Sequence, residues 1–223
     1  MDTIGPMQTE REAVVIVHGI WMHDIVMRLL GKRLRAAGYS TYFFNYSSRG
    51  DDVRAEAPRF LQWLENRVSE PRVHFVAHSL GGLVVLHMLS LQRFARLGRV
   101  VTLGSPLNGS AVAQRLNRSR LGRWLLGGAL DALCRGAPRL PVGICVGSIV
   151  GTIPVGLGRC LAPLSVPNDG TVALLEGGPK GCADFVALPV SHFGMLVAPG
   201  VIQQVVNFLR NGHFVQATHH GGA

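Results

Sequence analysis

Lysine is almost missing from this chain of 223 residues, and acids are scarce. The 22 basic residues are arginines apart from Lys32 and Lys180, against 13 Asp and Glu, for a formal charge of +9. Long apolar runs are missing too. No stretch reaches the roughly 18 residues a bilayer crossing needs; the nearest, residues 142–157, holds four glycines and a proline. Residues 1–12 mix Asp2, Glu10, Arg11 and Glu12 with no apolar centre, so no signal peptide is expected and a cytoplasmic location is. The four cysteines (Cys134, Cys145, Cys160, Cys182) lack CxxC spacing, and His74-x-x-x-His78 carries Phe75 where a zinc protease has glutamate. Neither a metal nor any other cofactor is therefore expected, and the thiols read as free. Aromatics make up only 7% and no nucleic-acid-binding motif accompanies the charge, so nucleic acid is not among the expected partners.

The positive balance itself points toward anionic partners, an acidic acyl carrier protein or an anionic membrane surface, unless it only reflects an arginine-biased genome. Arg115, Arg118, Arg120 and Arg123 cluster closely enough to form a partner-binding basic patch. Oligomeric state leaves no mark on the sequence.

Apolar, β-branched segments alternate with segments of helical period. Strands are expected over residues 13–17, 39–46, 72–77, 99–103, 142–150 and 185–190, and helices over 25–37, 53–68, 82–91 and 200–210. Pro58 falls near the start or at a break of the second helix. Residues 107–140 are mixed, with an apolar stripe of Leu121, Trp124, Leu125, Leu130 and Leu133 interrupted by Gly127-Gly128. Strand–helix alternation implies right-handed crossovers and an α/β fold: one domain, a mostly parallel sheet, helices on both faces. Reactive groups in such sheets collect at the carboxyl ends of the strands.

Residues 73–86 carry the sharpest chemical signal. An apolar strand runs into Ala77-His78-Ser79-Leu80-Gly81-Gly82 and then into a helix-period run. A strand that turns abruptly into a helix strains the residue at the apex and thrusts its side chain clear of the sheet, with small neighbours making room. Ser79 at that apex is a nucleophile elbow, with Ala77 in place of the first glycine of G-x-S-x-G. A serine hydroxyl needs an imidazole to take its proton and a carboxylate to orient that imidazole. Of nine histidines, His192 stands out because it follows the last strand and precedes the last helix. Four acids lie between Ser79 and His192: Asp131, Asp169, Glu176 and Asp184. Asp169 sits in an Asn-Asp-Gly turn after the fifth strand, whereas Asp184 begins the strand leading to His192, at the wrong end of the sheet. The oxyanion of acyl transfer needs backbone donors. Leu80 N–H, at the helix start, is one, and Ile20 N–H, freed to face the site by Gly19, is the other. Trp21, Met22 and His78 are expected to line the substrate.

Val17-His18-Gly19, the elbow, Leu103-Gly104-Ser105-Pro106, Asp169-Gly170-Thr171-Val172 and Ser191-His192 together resemble the α/β-hydrolase superfamily, its small bacterial lipase/esterase branch most of all. The resemblance spans roughly residues 13–210. It implies Ser79, Asp169 and His192 as catalytic triad and Ile20 and Leu80 as oxyanion donors. It also implies a single domain over residues 13–212, between an N-terminal extension (1–12) and a flexible tail (213–223). Only residues 106–140 are left for a lid, so the cap is minimal or absent and the cleft open. The expected activity is that of a serine hydrolase cleaving carboxylic esters through an acyl-Ser79 intermediate. The alternatives are a thioesterase or acyltransferase using acyl groups on an acidic carrier protein or coenzyme A, and a non-catalytic binding protein on the same fold.

Overall fold

The computed structural model describes residues 11–215, apart from positions 49, 51, 157, 179 and 180. Six strands form one parallel sheet in the order β2-β1-β3-β4-β5-β6: β1 Ala13–Val17, β2 Ser40–Phe44, β3 Val73–His78, β4 Leu97–Leu103, β5 Val146–Gly151 and β6 Asp184–Leu188. The helices are α1 Arg28–Ala36, α2 Val53–Arg67, α3 Leu80–Leu91, α4 Ala111–Leu116, α5 Arg120–Leu126, α6 Leu130–Arg135, α7 Gly158–Leu161, α8 Leu174–Gly177 and α9 Pro199–Asn211. A short 3-10 turn, Asp24–Met27, leads into α1.

β1 shows why the sheet is covered on both sides. Its five residues are all buried, and they alternate between two cores: Ala13, Val15 and Val17 face α2 and α3, while Val14 and Ile16 face α1 and α9. A strand with water on neither face has no use for polar alternation. α3 is buried almost all round and seats the elbow against the sheet. α2 begins at Asp52, whose carboxylate accepts the Arg54 N–H at 2.9 Å, and runs through Pro58 without a break, deeper into the helix than the expected position at its start.

α9 stops at Gly212, whose φ of +81° closes the helix in the left-handed region. The tail expected to be flexible from residue 213 starts with packed chain. Phe214 is buried against Phe208, their rings 4.8 Å apart, and its N–H donates to Asp184 Oδ2 at 2.6 Å. Residues 1–10 and 216–223 lie outside the described residues. Among the described residues no helix is long and apolar enough to cross a membrane.

Candidate active site

Ser79 links β3 to α3 with φ +53° and ψ −124°, a conformation that costs a non-glycine residue about 1–3 kcal/mol. Close backbone approach explains its small neighbours. A Cβ on Gly81 would lie 2.6 Å from the Val17 carbonyl oxygen and 2.5 Å from that of His18. One on Gly82 would meet Ser105 Oγ at 2.1 Å. The glycines thus let α3 start directly against the ends of β1 and β4.

The four acids separate cleanly. Asp131 is a surface residue paired with Arg54 and Arg135. Asp184, at the start of β6, holds the Phe185 and Phe214 N–H groups at the far end of the sheet. Glu176 accepts the N–H groups of Ala173 and Ala111. Asp169 is fully buried: its Oδ1 accepts the N–H groups of Thr171 (2.9 Å) and Val172 (2.7 Å), and its Oδ2 accepts His192 Nδ1–H at 2.7 Å. His192 N–H also donates to the Asp169 carbonyl at 2.9 Å. With Nδ1 carrying the proton, Nε2 is left as the basic nitrogen of His192. Gly104, at φ +57°, passes beneath this pair; a Cβ there would be 3.0 Å from both Asp169 Oδ2 and His192 Nδ1.

His78, beside the serine, reaches across to the same loop. Its Nε2–H donates to the His192 carbonyl at 3.0 Å, and the two rings lie 4.6 Å apart. Its Nδ1 is buried without a partner among the described residues, and burial, then the neighbouring His192, hold its pKa well below the ordinary histidine value. A neutral His78 keeps positive charge away from the His192 ring. His18 is also buried and biased toward the neutral form by desolvation; its Nδ1–H donates to the Gly19 carbonyl (2.9 Å) and its ring stacks on Tyr46.

Gly19 packs on the serine: a Cβ there would be 3.0 Å from Ser79 Cβ. Among the described residues neither the Ile20 N–H nor the Leu80 N–H donates to an acceptor within the chain. Trp21, next along, has φ +57°, a strained conformation held by its N–H to Ser48 Oγ (2.9 Å) and its indole N–H to the Leu125 carbonyl (3.2 Å). Ile20, Trp21, Met22, His78, Ser79 and His192 all line one cavity of about 120 Å³. Ser79 and His192 make no direct hydrogen bond across it; such bonds are often long until substrate is bound.

The cavity opens past Trp21 and Phe193 but is more enclosed than the open cleft expected from a short lid segment. Residues 106–140 form α4, α5 and α6, and Val112, Ala113, Leu116, Leu126 and Leu133 from these helices wall it in.

Residues 14–218 match the model of the alpha/beta hydrolase family, nearly the whole chain. The chain belongs to the alpha/beta hydrolase family. Among solved structures, a Bacillus licheniformis lipase, BlEst2 in its propeptide form, superposes with a TM-score of 0.70 at 18% identity, over 96% of this chain and 52% of that one. A metagenomic carboxyl esterase gives 0.67 at 19% identity, over 82% of this chain and 65% of that one. A thioesterase of the prodiginine pathway in Streptomyces coelicolor gives 0.58 at 13%, over 92% and 86%. The chain thus spans about half the length of the lipase and just under two thirds of the esterase. Identities this low establish shared fold. No curated protein matches the sequence significantly.

Other members of the expected site lie elsewhere on this hydrolase fold. Arg115 on α4 and Arg118 just after that helix are exposed and line a separate groove of about 570 Å³ with Cys160 and Pro163 of the α7 region. Arg120 and Arg123 are exposed on α5 and border neither space. Leu121 and Trp124, part of the apolar stripe, are 65% and 62% exposed, and α5 ends at Gly127 (φ +52°) before that stripe can run on into α6. Leu133 of the same stripe is buried, as is Leu126, which the stripe omits. Phe193, directly after the histidine, also lines the cavity and was not among the residues expected there. Among the described residues no group of His, Cys, Asp or Glu is arranged to hold a metal.

Proposed function

We propose that this chain hydrolyses carboxylic esters through an acyl-Ser79 intermediate. The observation that carries the reading is the buried 2.7 Å bond from His192 Nδ1–H to Asp169, held at the same cavity as a serine in a strained strand-to-helix turn. In this mechanism His192 Nε2 takes the Ser79 Oγ proton as Oγ attacks the ester carbonyl. Asp169 fixes the tautomer and stabilises the imidazolium that forms. The N–H groups of Ile20 and Leu80, without an acceptor among the described residues, receive the oxyanion; one such donor is worth about 3 kcal/mol in the transition state. The imidazolium protonates the departing alkoxide, a water enters, and His192 activates it to release the acid.

The test is turnover of p-nitrophenyl acetate by the full chain and by Ser79→Ala. Loss of turnover in the variant to the uncatalysed level supports the reading, and an unchanged rate removes it.

A second reading keeps the machinery and changes the leaving group to the thiol of coenzyme A or of an acidic acyl carrier. The exposed Arg115 and Arg118, which make no ion pair among the described residues, favour it. Replacing both by glutamine should then raise KM for a coenzyme A thioester, most at low salt, and leave KM for p-nitrophenyl acetate alone.

A further inference from the structure

The pocket beside Ser79 has a mouth and a closed end. At the mouth stand Trp21 and Phe193, 51% and 55% exposed. At the closed end Ala113, Leu126 and Leu133 are all buried. Two parts of an ester must be placed relative to these ends. The acyl group stays bonded to Ser79 while the alcohol departs and water replaces it, so the acyl group needs the enclosed space and the alcohol needs the mouth. An apolar, closed end suits a hydrocarbon chain and nothing charged.

The closed end is also rigid, because its helices meet backbone to backbone. A Cβ on Gly122 of α5 would sit 2.1 Å from the Leu116 carbonyl oxygen of α4. One on Gly136, just after α6, would sit 2.4 Å from the Leu107 carbonyl oxygen, and one on Gly109 would sit 2.6 Å from that of Cys134. The start of α4 is tied down by Glu176, whose two oxygens accept Ala111 N–H (2.6 Å) and Ala173 N–H (2.9 Å). Asn108 Nδ2–H adds a bond to the Leu175 carbonyl at 2.8 Å. A wall built this way does not swing aside as a lid would.

We propose that this fixed wall restricts the enzyme to short acyl groups, of about two to five carbons, and that Ala113, Leu126 and Leu133 set the limit. The limit comes from volume: a dry cavity of roughly 150 Å³ takes one benzene, six carbons, and this one is about 120 Å³. The inference rests on the ester-hydrolase reading and specifies its substrate class.

The experiment measures kcat/KM of the full chain on p-nitrophenyl acetate, butyrate, hexanoate, octanoate and decanoate, beside labelling of Ser79 by a small fluorophosphonate. The expected profile holds through butyrate and falls about 10-fold or more by octanoate, as a carbon that does not fit is worth roughly 10- to 200-fold. Leu133→Ala and the milder Leu126→Val should move the fall toward longer chains. Ala113→Leu should lower the butyrate-to-acetate ratio by about 10-fold. The unaltered chain's own profile decides the matter even if a variant does not fold. Labelled Ser79 with octanoate or decanoate cleaved faster than butyrate overturns the chain-length limit and leaves the hydrolase reading standing. No labelling and no cleavage overturns the hydrolase reading. Affinities of straight-chain carboxylic acids from two to ten carbons for Ser79→Ala then judge the pocket alone. A gain per carbon that ends near five supports the limit, and one that continues to ten overturns it.

Discussion

Replacing Asp169 by asparagine separates what this residue does for the turn from what it does for the base. The carboxylate has two jobs on two oxygens: Oδ1 accepts the Thr171 and Val172 N–H groups, and Oδ2 accepts His192 Nδ1–H. Asparagine retains an oxygen for the first job, so the Asn-Asp-Gly turn keeps both backbone bonds. At the Oδ2 position, 2.7 Å from Nδ1, it presents an NH2 group. Two donors cannot face each other at that distance. His192 must therefore move its proton to Nε2, the atom that has to accept from Ser79. The expected loss is about 10,000-fold in kcat, close to the effect of the equivalent tautomer inversion in serine proteases, or about 5 kcal/mol on the barrier. Asp169→Ala is the control. It leaves both N–H groups without their acceptor and should lower stability by about 1–3 kcal/mol for each, so it loses activity and melting temperature together. The assay is p-nitrophenyl ester turnover beside thermal unfolding of both variants. An Asp169→Asn protein that melts normally and retains more than about a tenth of the activity would refute the assignment of Asp169.

Other consequences follow from the same contacts. His78→Phe removes the donor that holds the His192 carbonyl and should lower kcat by about 10- to 100-fold, the range expected for a small displacement of a reacting group; His78→Gln, whose amide can reach the same oxygen, should recover much of it, and equal losses in both would show that the bond positions nothing. Gly104→Ala puts a methyl 3.0 Å from Asp169 Oδ2 and His192 Nδ1 on a backbone at φ +57°. Activity should fall by about 10-fold or more, and wild-type activity would contradict the packing of this turn. His18, His74, His78 and His87 are all buried, and desolvation is the largest cause lowering each pKa from 6.5. The native state therefore declines protons that the unfolded chain accepts below pH 6.5. Stability from these groups is complete above that pH and falls as pH drops below it, by up to about 1.4 kcal/mol per pH unit for each histidine. Denaturant midpoints at pH 7.5, 6.5 and 5.5 check this, and a midpoint that stays level or rises on acidification would contradict it.

The sequence shows most plainly what regular periodicity encodes. β1 is buried on both faces, so its five apolar residues run without polar alternation and read directly as a parallel strand. Ser79 is legible because sterics at a strand-to-helix turn admit few neighbours, and Gly81 and Gly82 supply them. Asp169 and His192 are found by order along the chain and position after strands, and the structure joins them by a hydrogen bond. The acyl wall is hidden for the opposite reason. α4, α5 and α6 have 6 or 7 residues each, too few for a period to declare an inner face, and their directions are set by backbone contacts at Gly109, Gly122 and Gly136. Leu121, Trp124 and Leu133 share one apolar stripe, yet of these three Leu133 alone is buried, and Leu126 from outside the stripe joins it on the inner face. The bond from His78 to the His192 carbonyl spans 114 positions and has no local trace, and the positive φ of Trp21 falls on a residue type that gives no hint of it.

Intact-protein mass measurement after brief exposure to p-nitrophenyl butyrate, quenched in acid and followed by peptide mapping, tests the acyl-enzyme most directly. A transient butyryl adduct on Ser79, absent from Ser79→Ala, is the outcome expected of this site. Ester cleavage with no adduct on Ser79, or with the adduct on another residue, would contradict it.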